Sequence, residues 1–107
     1  MRELVAFAAK HHIMVIPEIE MPGHEVAAIH AYPQLTVGNK KVDVRTTSGV
    51  SNNLLNPASE FTYQFLFDVF DELATVFPAP YVHLGGDEAG NPPLDDWTTD
   101  SACIALK

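Results

Sequence analysis

The stretch Ile13-Met14-Val15-Ile16-Pro17-Glu18-Ile19-Glu20-Met21-Pro22-Gly23-His24 decides how the chain is read. Its first four residues are a continuous apolar run rich in β-branched side chains. A run this short, without polar alternation, predicts a strand buried on both faces, the parallel-sheet type. Pro17 stands at the strand's end, where a missing N–H does least harm. Beyond it, period-two geometry puts Glu18 and Glu20 on one face. Met21-Pro22-Gly23-His24 then makes a turn.

Working outward, Leu4, Val5, Ala8 and Ala9 recur at helical spacing, which predicts a helix ending near residue 11. Val26, Ala27, Ile29 and His30 predict a short helix that stops before Tyr32-Pro33. Residues 34–56 are polar and show no period; a loop that long in a compact domain is usually functional or mobile. Asn56 as cap and Pro57 at the first position open the clearest helix. Its apolar face is Phe61, Phe65, Leu66, Val69, Phe70, Leu73, Ala74 and Phe77, opposite Asp68, Asp71, Glu72 and Thr75. Pro78 and Pro80 stop it. Tyr81-Val82-His83-Leu84 predicts a second strand, running into Gly85-Gly86-Asp87-Glu88. A loop through Pro92-Pro93 to Trp97 follows, then a helix start over Ala102–Lys107. Helix, strand, helix, strand, with polar clusters after each strand, is an α/β layout with parallel strands. In such folds, and in (β/α)₈ barrels, chemistry lies beyond the strand carboxyl ends.

The 107 residues suffice for one small domain, and nothing in that count excludes a piece of a longer chain. Fourteen Asp and Glu against six Lys and Arg give a net charge of −8, which argues against nucleic-acid or anionic-membrane partners. The single cysteine, Cys103, excludes an intramolecular disulfide and a cysteine-built zinc site. No apolar run reaches the roughly 18 residues of a membrane helix, and Met1-Arg2-Glu3-Leu4 lacks a signal-peptide core. The whole charge deficit falls in residues 54–107. A solvated helix face and polar loop account for most of it, but not readily for Asp87 and Glu88.

Adjacent carboxylates raise each other's proton affinity, which suits a general acid beside an ionised partner. Gly85 and Gly86 permit a tight turn and leave room for a substrate against the backbone. The plain alternative is a strand-to-loop turn with exposed acids. His24 follows two in-line glutamates and points to a site. His83, inside a strand, reads rather as a hydrogen-bonding residue, and His11, His12 and His30 read as structural. Trp97 is either a sugar-stacking platform or core. Three chemistries compete: a glycosidase using Asp87 and Glu88, a metal-dependent hydrolase with His24, His83, Asp87 and further carboxylates as ligands, and a nucleotide cyclase. The metal reading lacks a compact two-histidine spacing. The cyclase reading rests on Gly-Gly-Asp-Glu alone, with Ala89 where that signature has Phe.

Two longer motifs narrow the choice. Val15-Ile16-Pro17-Glu18-Ile19-Glu20-Met21-Pro22-Gly23-His24 resembles the strand-three signature of family 20 glycoside hydrolases, the β-N-acetylhexosaminidases. Tyr81-Val82-His83-Leu84-Gly85-Gly86-Asp87-Glu88 resembles their strand-four signature. Tyr32-Pro33-Gln34-Leu35, Leu55-Asn56-Pro57, Phe77-Pro78 and Trp97 also have counterparts. The resemblance implies a partial (β/α)₈ TIM barrel: residues 1–107 as a fragment of one catalytic domain, about two βα units. It implies a retaining, substrate-assisted hydrolase for terminal N-acetylhexosamine, using no cofactor and no metal. Asp87 would orient the 2-acetamido group, and Glu88 would be acid and base. Glu20 and His24 would hold the pair, with His83, Glu18 and Trp97 in support. Glu20 departs from the family, where many members carry Asp. The sugar-clamping arginine and later pocket tryptophans fall outside these residues, so the fragment alone is expected to be inactive. The alternative is a degenerate homologue that binds sugar without cleaving it. The residues name no compartment; the resemblance leans to a secreted, periplasmic or lysosomal one.

Overall fold

The computed structural model describes residues 1–89 and 95–106, the side chain of Asp95 excepted. Helix α1 (Arg2–Lys10) opens the chain. It ends in a Schellman-type cap: Ile13 N–H donates to the Ala8 carbonyl at 3.0 Å and His12 N–H to that of Ala9 at 3.1 Å. His12 takes the left-handed position of that cap, with φ 58°, where glycine is the usual residue. His12 is therefore structural, as is His30, whose Nδ1 lies 2.8 Å from the Val42 carbonyl and ties the following loop to helix α2 (Val26–Ala31).

The two predicted strand segments lie side by side and parallel. Pairing is centred on Glu18 and His83. Ile19 N–H donates to the His83 carbonyl at 3.0 Å, and His83 N–H to that of Pro17 at 2.9 Å, the slanted pattern of parallel strands. Two expectations fail here. Among the described residues the pairing is one bridge, past the apolar run rather than along it. The run is also not buried: Ile13 is 61% exposed, Met14 58% and Tyr81 64%. A parallel strand loses its apolar surface only to neighbours on both edges and cover on both faces. Here α1 and the long helix Glu60–Val76 offer partial cover, leaving a groove of about 350 Å³ lined by Leu4, Val15, Ile16, Leu73 and Phe77.

Helix α3 (Glu60–Val76) starts three residues later than Asn56-Pro57 predicts. Asn56 caps a turn instead: its Oδ1 accepts Ala58 N–H at 2.9 Å, with Pro57 between them. Ser59 precedes the helix, and Phe77 ends it before Pro78. Its predicted apolar face is half-buried along Phe65, Leu66, Val69, Phe70 and Leu73, while Phe61 and Ala74 are exposed. Arg2 joins the start of α1 to the end of α3, its Nη1 donating to the Thr75 carbonyl at 2.6 Å.

The buried core lies elsewhere, in Ile29, Leu35 and Leu55, backed by Met21, Ala28, Val42, Phe65 and Leu66. The segment 34–56, polar by composition, thus supplies two of the three central side chains. It holds two short 3₁₀ turns, Pro33–Leu35 and Val37–Asn39. Backbone bonds fix it: Leu55 N–H to the Pro22 carbonyl at 2.9 Å and Asn56 N–H to that of Leu35 at 2.7 Å. Two short helices close the chain, α4 (Asp95–Thr99) and α5 (Ser101–Ile104). Trp97 is therefore helical, not at the end of a loop. The predicted loop through Pro92-Pro93 lies outside the described residues, as does Lys107, and α5 covers the first part of the predicted final helix. Asp100 caps α5, taking the Cys103 N–H at 2.9 Å.

Candidate active site

The site is assembled where the two segments meet. Beyond the bridge, each continues into its polar cluster, so Glu18, Glu20 and His24 come to face His83, Asp87 and Glu88. Glu18 and Glu20 both reach the second segment but take different partners. The Glu18 carboxylate lies 3.3 Å from His83 Nδ1. Glu20 reaches further, and its Oε1 accepts the N–H groups of Gly86 at 2.6 Å and Asp87 at 2.8 Å.

His24 Nε2 stands 3.1 Å from Glu88 Oε2, both side chains being part-exposed. Both residues have left-handed backbones, φ 57° for His24 and φ 54° for Glu88. Each costs roughly 1–2 kcal/mol for a residue with a Cβ, and strain of this kind clusters at functional sites. The two turns are also pressed together. The Asp87 carbonyl lies against Gly23 so closely that a Cβ there would sit 3.3 Å from it. Gly23 is the glycine of the Pro-Gly-His turn, and its role in seating Asp87 is invisible in sequence because its partner is 64 positions away.

Gly85 needs correction. Sequence reading assigned its free space to substrate, but that space holds Glu20: a Cβ on Gly85 would overlap the Glu20 carboxylate. Gly86 does open to free space, with nothing within 4 Å of a Cβ there. Both are left-handed, with φ 65° and 109°.

His83 Nδ1 also accepts the Gly85 N–H at 3.1 Å. One ring nitrogen cannot accept from Gly85 and donate to Glu18 together, so Nδ1 serves Gly85 when it carries no proton and Glu18 when it does. The Glu20 carboxyl is held below the ordinary glutamate range by the Gly86 and Asp87 N–H groups, against a smaller opposing effect of burial; His24 and His83 add to the lowering. Glu25, which sequence reading passed over, is pushed up by burial and then by the charge of Glu20. Trp97 is half-buried, its indole N–H donating to the Leu55 carbonyl at 3.1 Å. Through Leu55 it braces Pro22, next to Gly23 and His24. Among the described residues, no three His, Cys, Asp or Glu side chains converge to hold a metal ion.

The chain is similar to known proteins. Residues 1–106 match the family model described as "Glycosyl hydrolase family 20, catalytic domain". A β-hexosaminidase of Porphyromonas gingivalis is 42% identical over 102 residues, 95% of this chain and 13% of its own length. A crystal structure of a β-N-acetylhexosaminidase superposes with a TM-score of 0.89 at 43% identity, over 98% of this chain and 22% of that one. A mutant Streptomyces plicatus β-hexosaminidase in complex with product GlcNAc superposes at 0.80 with 36% identity, over 98% and 20%. The chain spans less than a quarter of each of these proteins. Both signature segments, and the turns that join them, lie inside the matched residues, and the chain belongs to glycosyl hydrolase family 20.

Proposed function

We propose that the protein containing these residues is a retaining, substrate-assisted β-N-acetylhexosaminidase, and that residues 1–107 contribute about two βα units to its single (β/α)₈ catalytic domain. The names of the relatives and the GlcNAc in the Streptomyces plicatus structure support the substrate class: terminal GlcNAc or GalNAc, β-linked in an oligosaccharide or glycoconjugate. The exposed apolar strand segments support the domain reading, since neighbouring strands and helices cover such surfaces in a barrel.

The observation that carries the catalytic reading is the pairing of Glu88 with His24 at 3.1 Å, next to Asp87 on a turn gripped by Glu20. In this scheme the 2-acetamido oxygen of the substrate attacks the anomeric carbon as the glycosidic bond breaks. Glu88 gives its proton to the departing oxygen. An oxazolinium forms, and Asp87 orients the acetamido group and offsets the positive charge on its nitrogen. Glu88, now a carboxylate, takes a proton from the water that opens the ring on the same face. His24 fixes the Glu88 side chain. Glu20, Glu18 and His83 hold the turn, and Trp97 acts through Leu55. No cofactor enters. Because positioning supplies much of such a rate and these residues build only one wall of a pocket, the 107 residues alone are inactive.

The test uses the complete protein. Glu88→Gln lowers kcat on a chitobiose-type substrate by about 10²–10⁴-fold. The loss on the nitrophenyl glycoside is smaller, because that leaving group needs little protonation. Fluorination of the acetamido methyl slows wild-type turnover, because it weakens the attacking oxygen. Equal activity of Glu88→Gln on both substrates, or first release of the α-anomer, refutes the reading.

A further inference from the structure

Three successive backbone donors in the turn before Glu88 are taken by side chains. His83 Nδ1 accepts from Gly85 at 3.1 Å, and a single Glu20 oxygen accepts from Gly86 at 2.6 Å and from Asp87 at 2.8 Å. Two N–H groups converging on one carboxylate oxygen make a small anion nest, and such charge-assisted bonds are about twice as strong as neutral ones. Glu20 belongs to the other strand segment, 66 positions from Gly86. The side of Gly85 where a Cβ would stand is filled by the same carboxylate.

We propose that Glu20 is a positioning residue that acts on the reaction through the backbone: by binding the Gly86 and Asp87 N–H groups it sets the direction in which Asp87 and Glu88 leave the turn. The proposal rests on the reading of Asp87 and Glu88 as the reacting pair. Glu20 has no need to touch the sugar. Its carboxylate fills the space beside Gly85, so this side chain adds a second tie, beyond the bridge at Glu18 and His83, between the turn carrying His24 and the turn carrying Glu88. His24 and Glu88 both hold left-handed backbones, so a turn released from Glu20 has a lower-strain state to relax into, which separates them. The lowered proton affinity of Glu20 fits an oxygen that stays ionised at both donors.

The experiment measures the complete protein on 4-nitrophenyl N-acetyl-β-glucosaminide, with backbone hydrogen exchange read over residues 84–88. Glu20→Ala is expected to lower kcat by about 100-fold, the scale of a catalytic group misplaced by about 1 Å, with KM changed less than about threefold. Glu20→Gln keeps an oxygen at the same reach and recovers about tenfold of that loss, as expected for neutral bonds replacing charge-assisted ones. Exchange at Gly86 and Asp87 rises in the order wild type, Gln, Ala. If Glu20→Ala does not fold, Glu20→Gln against wild type decides by the same two readouts. The proposal is overturned if the kcat of either variant stays within about threefold of wild type, if exchange at the two amides is unchanged, or if Gln is as impaired as Ala. Wild-type protein without activity, or Glu88→Gln with full activity, would instead sink the catalytic assignment, while the exchange arm still reports on the clamp.

Discussion

Gly85→Ala puts the geometry of the turn under direct stress. Two costs follow from the structure. Gly85 sits at φ 65°, and placing a Cβ there costs roughly 1–2 kcal/mol in backbone energy alone. The new methyl would also overlap the Glu20 carboxylate. Either the overlap is tolerated, at the roughly 1–3 kcal/mol typical of overpacking, or Glu20 swings away and gives up its two charge-assisted bonds to Gly86 and Asp87. By the first route the total is about 2–5 kcal/mol. Gly86→Ala meets no neighbour and carries only the backbone part. Urea unfolding of the complete protein measures stability, and hydrolysis of the nitrophenyl glycoside measures the site. The decisive comparison is a double-mutant cycle. In a Glu20→Ala background the methyl has nothing to strike, so Gly85→Ala should cost only the backbone part, a coupling of at least about 1 kcal/mol. Additivity within about 0.5 kcal/mol would refute the claim that Glu20 fills the space at Gly85.

Other outcomes follow from single contacts. Glu25 has a raised proton affinity in the fold, so it costs nothing below the ordinary glutamate range and costs stability as pH rises through its folded value. Glu25→Gln should therefore raise the melting midpoint at pH 7 and lose that gain in acid, as thermal scans against pH would show. Glu20 has the opposite sign: its contribution is present above the ordinary glutamate range and disappears as pH falls through its lowered folded value, so Glu20→Gln should destabilise at pH 7 and converge with wild type in acid. Leu55→Ala empties a site 3% exposed and should cost about 2–5 kcal/mol in urea unfolding; a loss under 1 kcal/mol would remove Leu55 from the core. Trp97→Phe keeps a ring but deprives the Leu55 carbonyl of its indole donor, for about 1 kcal/mol by the same measurement.

The sequence carried the order of elements because that order depends on local signals. Proline 33 closes α2 and proline 78 closes α3 at the residues expected, since a missing N–H and a fixed φ act wherever they stand. The start of α3 was misplaced by the same local logic: Asn56 is a good cap, but its oxygen serves a turn three residues earlier. Burial was the least legible property. Leu35 and Leu55 sit among polar neighbours without period, and only backbone bonds to Asn56 and Pro22 carry them inside. Ile13 and Met14 have the composition of buried strand residues, yet that composition records what a strand needs around it, and the described residues supply one bridged neighbour.

The candidate site was legible to a different depth. Asp87, Glu88, His24 and Glu20 could be named because carboxylates and imidazoles beyond strand ends are few, and two long motifs place them. How they cooperate could not be named, because the decisive partners are backbone atoms. Glu20 binds N–H groups that every residue except proline possesses, so no letter in the sequence marks Gly86 and Asp87 as its targets. The double glycine is the one available signal, and by itself it suggests room for substrate. Only Gly86 fits that use; the space at Gly85 belongs to the clamp. The left-handed backbones of His24 and Glu88 leave little mark either: histidine is only enriched at positive φ, and glutamate gives no such signal. The motif therefore specifies more than its acids. Gly23 seats the Asp87 carbonyl, Gly85 admits Glu20, and His83 accepts the first N–H of the turn. A substitution at any of these three is expected to disturb the turn that carries Glu88 while leaving every titratable group of the pair in place.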